Sequence, residues 1–169
     1  NPTMNNFERL VQTTQGSGID LSRYVFNSLV VTLAVVVLTI LIGSMASYAM
    51  SKIKFRGKGL VFEINTLALM FVPVAVQIPR YLAVDAAGVM NTYLAHILPL
   101  LAMPVGVFLV KQFTDQLPDS LIEAALIDGA GHLTIFFKIV IPLIRPAIAT
   151  IAILSFQTVW NNTETSSLY

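Results

Sequence analysis

The sequence predicts an all-α, polytopic transmembrane helix bundle, and three observations predict it. Leu29 to Met50 runs about 22 residues without a charge, long enough for a helix to cross a ~30 Å hydrocarbon core. Only 11% of the 169 residues are charged and 56% are hydrophobic, whereas soluble domains carry roughly 25% charged residues. A short, capped, partly charged helical stretch from Ser120 to Pro146 lies between two long apolar ones. That places it at a membrane surface, where it can meet a soluble partner.

Composition also excludes function classes. The chain has no cysteine, which removes disulfides, Cys-ligated zinc and thiol catalysis. The net charge is +1, and no basic run is long enough to follow a nucleic-acid backbone. The segment GKG at Gly57 to Gly59 is not a phosphate loop, because the spacing G-x-x-x-x-G-K-[ST] is absent. No paired carboxylates and no nucleophile–base constellation are evident, so no catalytic residue is assigned. No signal peptide is visible, and the chain does not open with Met, as expected of a fragment or a processed product.

The elements follow in order. Span one is Leu29–Met50, with Asn27 and Ser28 as N-cap candidates. Gly43, Ser44, Ala46, Ser47 and Ala49 give its second half a small face suited to close packing in lipid. Lys52, Lys54, Arg56 and Lys58 follow and mark the cytoplasmic side. Span two is Leu60–Ile78, with Glu63 near its inner end; Pro73 kinks or breaks it. Pro79 ends it, and Arg80 to Met90 is an outer loop. Span three is Tyr93–Val110, capped by Asn91 or Thr92 and made irregular by Pro99, Pro104 and Gly106. Lys111 closes it on the inside. Span four is Ile139–Val159, with Pro142 and Pro146 in its first turns, where proline costs least, and Arg145 near its inner end.

Four spans leave both termini outside. Residues 1–26 form an extracytoplasmic amphipathic segment with Phe7, Leu10 and Val11 at helical spacing. Residues 27–162 form the membrane domain, with a cytoplasmic loop at 112–138, and 163–169 form a short outer tail. Within that loop, Ser120 and Glu123 fit S-x-x-E, a capping box opening a short helix. Asp128-Gly129 ends the helix, and a second helical stretch runs from about Thr134 into span four. Read from chemistry alone, this is either a partner-docking element or an ordinary interfacial helix.

The spacing Glu123-Ala124-Ala125, three residues, Gly129, nine residues, Ile139, then Pro142 resembles the signature cytoplasmic loop of permease subunits of ATP-binding-cassette importers. EAALIDGA followed by FFKIVIPLIRPAIATI is similar to the carbohydrate-type branch and its maltose-type second permeases. NSLVVTLAV at Asn27, KIKFRGKG and FQTVWNN at Phe156 to Asn162 resemble that branch as well. The resemblance covers roughly Tyr24 to Asn162 and implies a type I importer permease fold, with about four spans here plus a cytoplasmic coupling helix. It implies that Glu123, Ala124, Ala125, Asp128, Gly129 and Ala130 dock on a cytoplasmic ATPase subunit. It further implies a second, different permease subunit, an extracytoplasmic solute-binding protein and a place in the bacterial inner membrane. ATP and Mg would then sit on the partner, with no cofactor on this chain. The family has about six spans with both ends inside, so one span is expected before Asn1 and one after Tyr169.

Other residues are weighed individually. His96 and His132 lack a second ligand at metal spacing. Glu63 is expected to snorkel or to pair with Lys58. Asn65, Gln77 and Asn91 are candidates for a polar solute pathway, and Asn65 and Gln77 serve equally as helix–helix hydrogen bonds. Tyr81, Trp160 and Tyr169 fit an aromatic belt at the outer boundary. The competing classes are a fragment of a secondary transporter or channel, which calls for ionisable groups at mid-span, and a membrane anchor without a transport role.

Overall fold

The computed structural model describes residues 21–71, 73–163 and 165, and the regular elements among them are helical. The expected amphipathic segment around Phe7, Leu10 and Val11, and Tyr169, lie outside the described residues.

Helix α1 (Leu21–Lys52) is unbroken for 32 residues, about 48 Å by its rise. It starts earlier than expected, because nothing from Leu21 to Phe26 breaks a helix. Asn27 and Ser28 are therefore interior residues, not caps. One face of α1 stays apolar and open: Leu33, Val37, Leu41 and Ile42 are exposed. The other face carries Ser44 and Ser47, both fully buried.

The second expected span is not one rod. Helix α2 (Lys58–Ala68) has 11 residues, about 16 Å, too short to cross a hydrocarbon core alone. A turn, a 3-10 segment at Pro73–Val76 and helix α3 (Gln77–Ala86) follow. Helix α2 ends four residues short of Pro73, whose ring cannot donate the backbone hydrogen bond that a continued helix needs. Pro79 does not end a helix. It sits in the first turn of α3, where its missing N–H has no helical acceptor to lose.

Helices α4 (Tyr93–Leu101) and α5 (Pro104–Asp115) meet at 46°. Ala102 and Met103 leave helical geometry, and Pro104 opens α5 at its first position. Lys111 does not close α5, which continues one turn to Asp115. Helix α6 (Asp119–Ile127) follows directly.

The fourth expected span is also divided. Helix α7 (His132–Leu143) meets helix α8 (Arg145–Trp160) at 82°. Pro146 at the start of α8 clashes with a continued helix, so the axis turns at Ile144. A π-turn occupies Phe136–Val140, with the Ile141 amide donating to the Phe136 carbonyl. This wider turn lies immediately before Pro142 and relieves the same kind of clash. The crossing part of the fourth segment is therefore α8, and α7 lies across its end. By length and composition α1 can cross a membrane, and each bent pair, α4–α5 and α7–α8, can supply one more span.

Helix α1 packs on α5, α8 and α4. Gly43 comes within 4.0 Å of Val107 at the position a Cβ would take, and Gly106 packs as closely on Ile151 and Met103. Ser47 Oγ donates to the Val107 carbonyl at 2.9 Å as well as to its own helix at Gly43. The buried core joins Tyr48 of α1, Val110 of α5, Ile122 and Ala125 of α6, Phe136 and Val140 of α7, and Ala147 and Ile151 of α8. We predict that Ser47→Leu lowers stability by about 1–3 kcal/mol through overpacking of the α1–α5 contact. Thermal unfolding in detergent checks this, with Leu41→Val on the open face as the near-neutral control.

Candidate functional site

The fold has a basic end and an opposite end. Lys52, Lys54, Arg56, Lys58 and Lys111 gather at the first, where α1 finishes, α2 begins and α5 finishes. Helix α6 sits there. Pro118, extended at φ −60° and ψ 133°, starts it, and Asp119 is its first residue. The capping box expected from Ser120 and Glu123 does not form: no side chain caps this helix, and Ser120 lies inside its first turn. The proline pre-sets the entry one residue before Ser120, so the serine cannot occupy the cap position. Asp119 instead places a carboxylate in the first turn, where the helix dipole favours it.

The far end of α6 is a Schellman turn. The Ala130 amide donates to the Ala125 carbonyl at 2.9 Å and the Gly129 amide to the Leu126 carbonyl at 3.0 Å. Gly129 has φ +81°, a left-handed conformation that a side chain resists.

The end of α1 grips α6 from both sides. Lys52 Nζ donates to the Leu117 carbonyl at 2.5 Å and to Asp119 Oδ1 at 2.6 Å, and its side chain is only 4% exposed. Ser51 Oγ donates to Asp115 Oδ1, and Lys111 holds the other oxygen of that carboxylate at 2.6 Å. Beyond α6, the Tyr48 hydroxyl is hydrogen-bonded to His132 Nδ1 at 3.1 Å, and its ring packs on Phe136. The hydrogen bond and charge of Lys52 hold the Asp119 carboxyl below the usual carboxylate range, assisted by Lys54 and Lys58.

Six residues were candidates for docking. Glu123, Ala124, Asp128 and Gly129 are exposed and Ala130 is half-buried. Ala125 is not on the open face: it is buried with Ile122 and seats the helix on the core. The open face carries three residues that the motif did not single out, Leu121, Leu126 and Ile127, the last 85% exposed. The helical alternation that turns Ile122 and Ala125 inward was the signal for them.

The solute-pathway candidates do not converge. Asn65 Nδ2 donates to the Pro104 carbonyl at 3.2 Å and ties α2 to α5. Gln77 is half-buried at the start of α3. Asn91 is at the opposite end, in a left-handed conformation with φ 58°. Glu63 is exposed and is not paired with Lys58, whose ammonium donates to the Ser51 carbonyl at 2.7 Å. Among the described residues no group of His, Asp and Glu is arranged to hold a metal ion.

These features define a membrane-embedded helical protein that presents a rigid surface helix at its basic end. The sequence pattern of the family described as binding-protein-dependent transport system inner membrane component matches residues 39–168, and the chain belongs to that family. It is 37% identical over 136 residues to the arabinooligosaccharides transport system permease protein of Halalkalibacterium halodurans, covering 80% of this chain and 49% of that one. It is likewise 37% identical over 139 residues to the melibiose/raffinose/stachyose import permease protein of Bacillus subtilis, covering 80% and 50%. The fold matches a crystal structure of a bacterial ABC transporter involved in the import of the acidic polysaccharide alginate, with a TM-score of 0.74 and 28% identity over 80% of this chain and 48% of that one. The chain thus spans about half the length of the curated relatives it matches.

The Lys52 latch gives a prediction with a definite sign in pH. The Asp119 carboxyl titrates lower in the folded chain than in the unfolded one, so its contribution is complete above the ordinary carboxylate range. It is lost as pH falls through the folded value. Protection of the α6 amides, taken relative to their intrinsic exchange at each pH, is therefore expected to fall below about pH 4 in the parent chain but not in Asp119→Asn. Lys52→Met, which leaves the Leu117 carbonyl without its donor, is expected to quicken exchange there at every pH, by about tenfold or more.

Proposed function

We propose that this chain is part of a transmembrane permease subunit of an ATP-binding-cassette importer, and that α6 is its coupling helix. The basic end then faces the cytoplasm, as the lysines around α1, α2 and α5 favour. A separate nucleotide-binding subunit carries ATP and Mg and receives α6 in a cleft. The chain itself catalyses no reaction. A second permease subunit of different sequence and an external solute-binding protein complete the assembly, and the solute is a sugar or oligosaccharide. Family membership and the oligosaccharide permeases among the relatives support this reading.

The observation that carries the docking role is the exposed rim of α6. Ile127, 85% exposed, stands beside Leu126, Glu123 and Asp128 on a helix fixed at both ends. Burying one such side chain in a partner contributes about 1.5–3 kcal/mol. Glu123 and Asp128 add acidic contacts for basic groups on the ATPase, and Gly129 supplies the turn that presents them. A secondary transporter is disfavoured by the break between α4 and α5: it falls at Ala102 and Met103, with no ionisable group at which to bind a coupling ion.

Two results test the proposal. Ile127→Asp is expected to weaken co-purification of the ATPase subunit by about tenfold or more. Gly129→Pro is expected to leave ATP hydrolysis running while solute uptake falls away. Uptake at the parental rate in the Gly129→Pro variant removes the docking assignment. The position of α6 is checked by cysteine labelling at Asp128 in intact cells, where protection from an impermeant reagent is expected.

A further inference from the structure

At the end opposite the basic cluster, a cavity of about 530 Å³ opens between the start of α1, the start of α4 and the end of α8. Its volume lies within the ~300–1,000 Å³ typical of ligand pockets. Tyr24, Asn27, Asn91, Tyr93, Trp160 and Asn162 supply its aromatic rings and amides, and the described residues that line it include no Asp, Glu, Lys or Arg.

The polar groups are oriented by neighbours. Tyr93 Oη donates to Asn27 Oδ1 at 2.7 Å, which turns the Asn27 amide nitrogen away as a donor. Asn162 Oδ1 accepts from the Thr165 amide at 3.0 Å and from its hydroxyl at 2.9 Å, which does the same for the Asn162 nitrogen. Phe156 stacks on Trp160 at 5.6 Å and 13°, fixing an indole that stays half-exposed. Fixed amide donors beside held aromatic rings suit a ligand with many hydroxyls and apolar C–H faces. A charged ligand would lose its hydration against described lining residues that include no Asp, Glu, Lys or Arg, His96 being the one imidazole among them.

Resting on the permease reading above, we propose that this cavity is an entry site for a neutral saccharide, in which Trp160 and Tyr93 stack against the sugar and Asn27 and Asn162 donate to its hydroxyls. It is separate from α6 and includes only Asn91 of the three residues that sequence had marked for a pathway. The site thus favours neutral over acidic oligosaccharides.

The test is uptake by cells carrying the full transporter and its binding protein, with labelled raffinose and arabinotriose as neutral probes and trigalacturonate as the anionic one. The parent is expected to take up at least one neutral probe. Trp160→Ala and Asn162→Ala are expected to raise the half-saturation concentration for it by about tenfold, while Trp160→Tyr stays within about twofold. Ser28→Trp, which fills the cavity, is expected to abolish uptake in a complex that still assembles. An unchanged half-saturation in both alanine variants overturns the cavity assignment and leaves the permease reading standing. Uptake of trigalacturonate alone, or of no probe by a complex that retains its ATPase subunit, overturns the preference for neutral sugars. Lost capture of the external binding protein by the variants assigns the cavity to that protein instead, and also overturns the proposal. Absence of both uptake and any ATPase subunit removes the permease reading itself.

Discussion

The structure depends on how closely α1 approaches α5 and α8. In lipid there is little hydrophobic gain from bringing one apolar helix against another, so contact must come from packing and from polar bonds between helices. The second half of α1 meets both needs. A Cβ at Gly43 would just touch Val107, at 4.0 Å, and Ser47 bonds the Val107 carbonyl while also satisfying its own helix. Gly106 on α5 completes the fit by admitting Ile151 of α8. A side chain much larger than a methyl at these points overpacks the contact on which α6 and α7 rest.

With that core in place, prolines decide where the chain leaves it. Pro104 resets the axis between α4 and α5, Pro118 opens α6, and Pro142 and Pro146 turn α7 almost at right angles to α8. Such breaks free backbone groups that need partners. The structure supplies one of them with a side chain: Lys52 reaches the Leu117 carbonyl ahead of α6. A residue that looked like a charge marker is thus, in part, a repair to a broken helix.

This accounts for what could be read from the sequence. The uncharged length of α1 and the glycine that ends α6 depend on local chemistry, and both stand where the residues predict them. The capping box depended on local pattern as well, yet Pro118 took precedence over it, because a fixed φ decides the helix entry before a serine hydroxyl can. The second and fourth spans read as continuous because hydropathy is blind to direction: apolar residues on either side of Pro73 or Pro146 look alike whether the axis runs on or turns. The Lys52 latch was invisible for a different reason. A lysine at a helix end carries the same topological signal whether it points to water or folds back on a carbonyl 65 residues away. The cavity at the opposite end joins the first helix to the last described one, a pairing that no local pattern encodes.

On the coupling-helix reading proposed above, the latch is what lets a helix of nine residues serve as a lever. An isolated helix that short is marginal in water, and a loop that yields under load transmits nothing. Helix α6 is instead seated through Ile122 and Ala125, locked at its far end by the Gly129 turn, and tied to α1 before its start by Lys52 and after its end through Tyr48 and His132. The Lys52 and Tyr48–His132 contacts are separate tethers, so opening one leaves the other in place. Both tethers and the buried apolar seat meet the last turns of α1. On the coupling-helix reading, a displacement of α6 pulls on α1, which runs about 38 Å from Lys52 to Asn27, where it meets Tyr93.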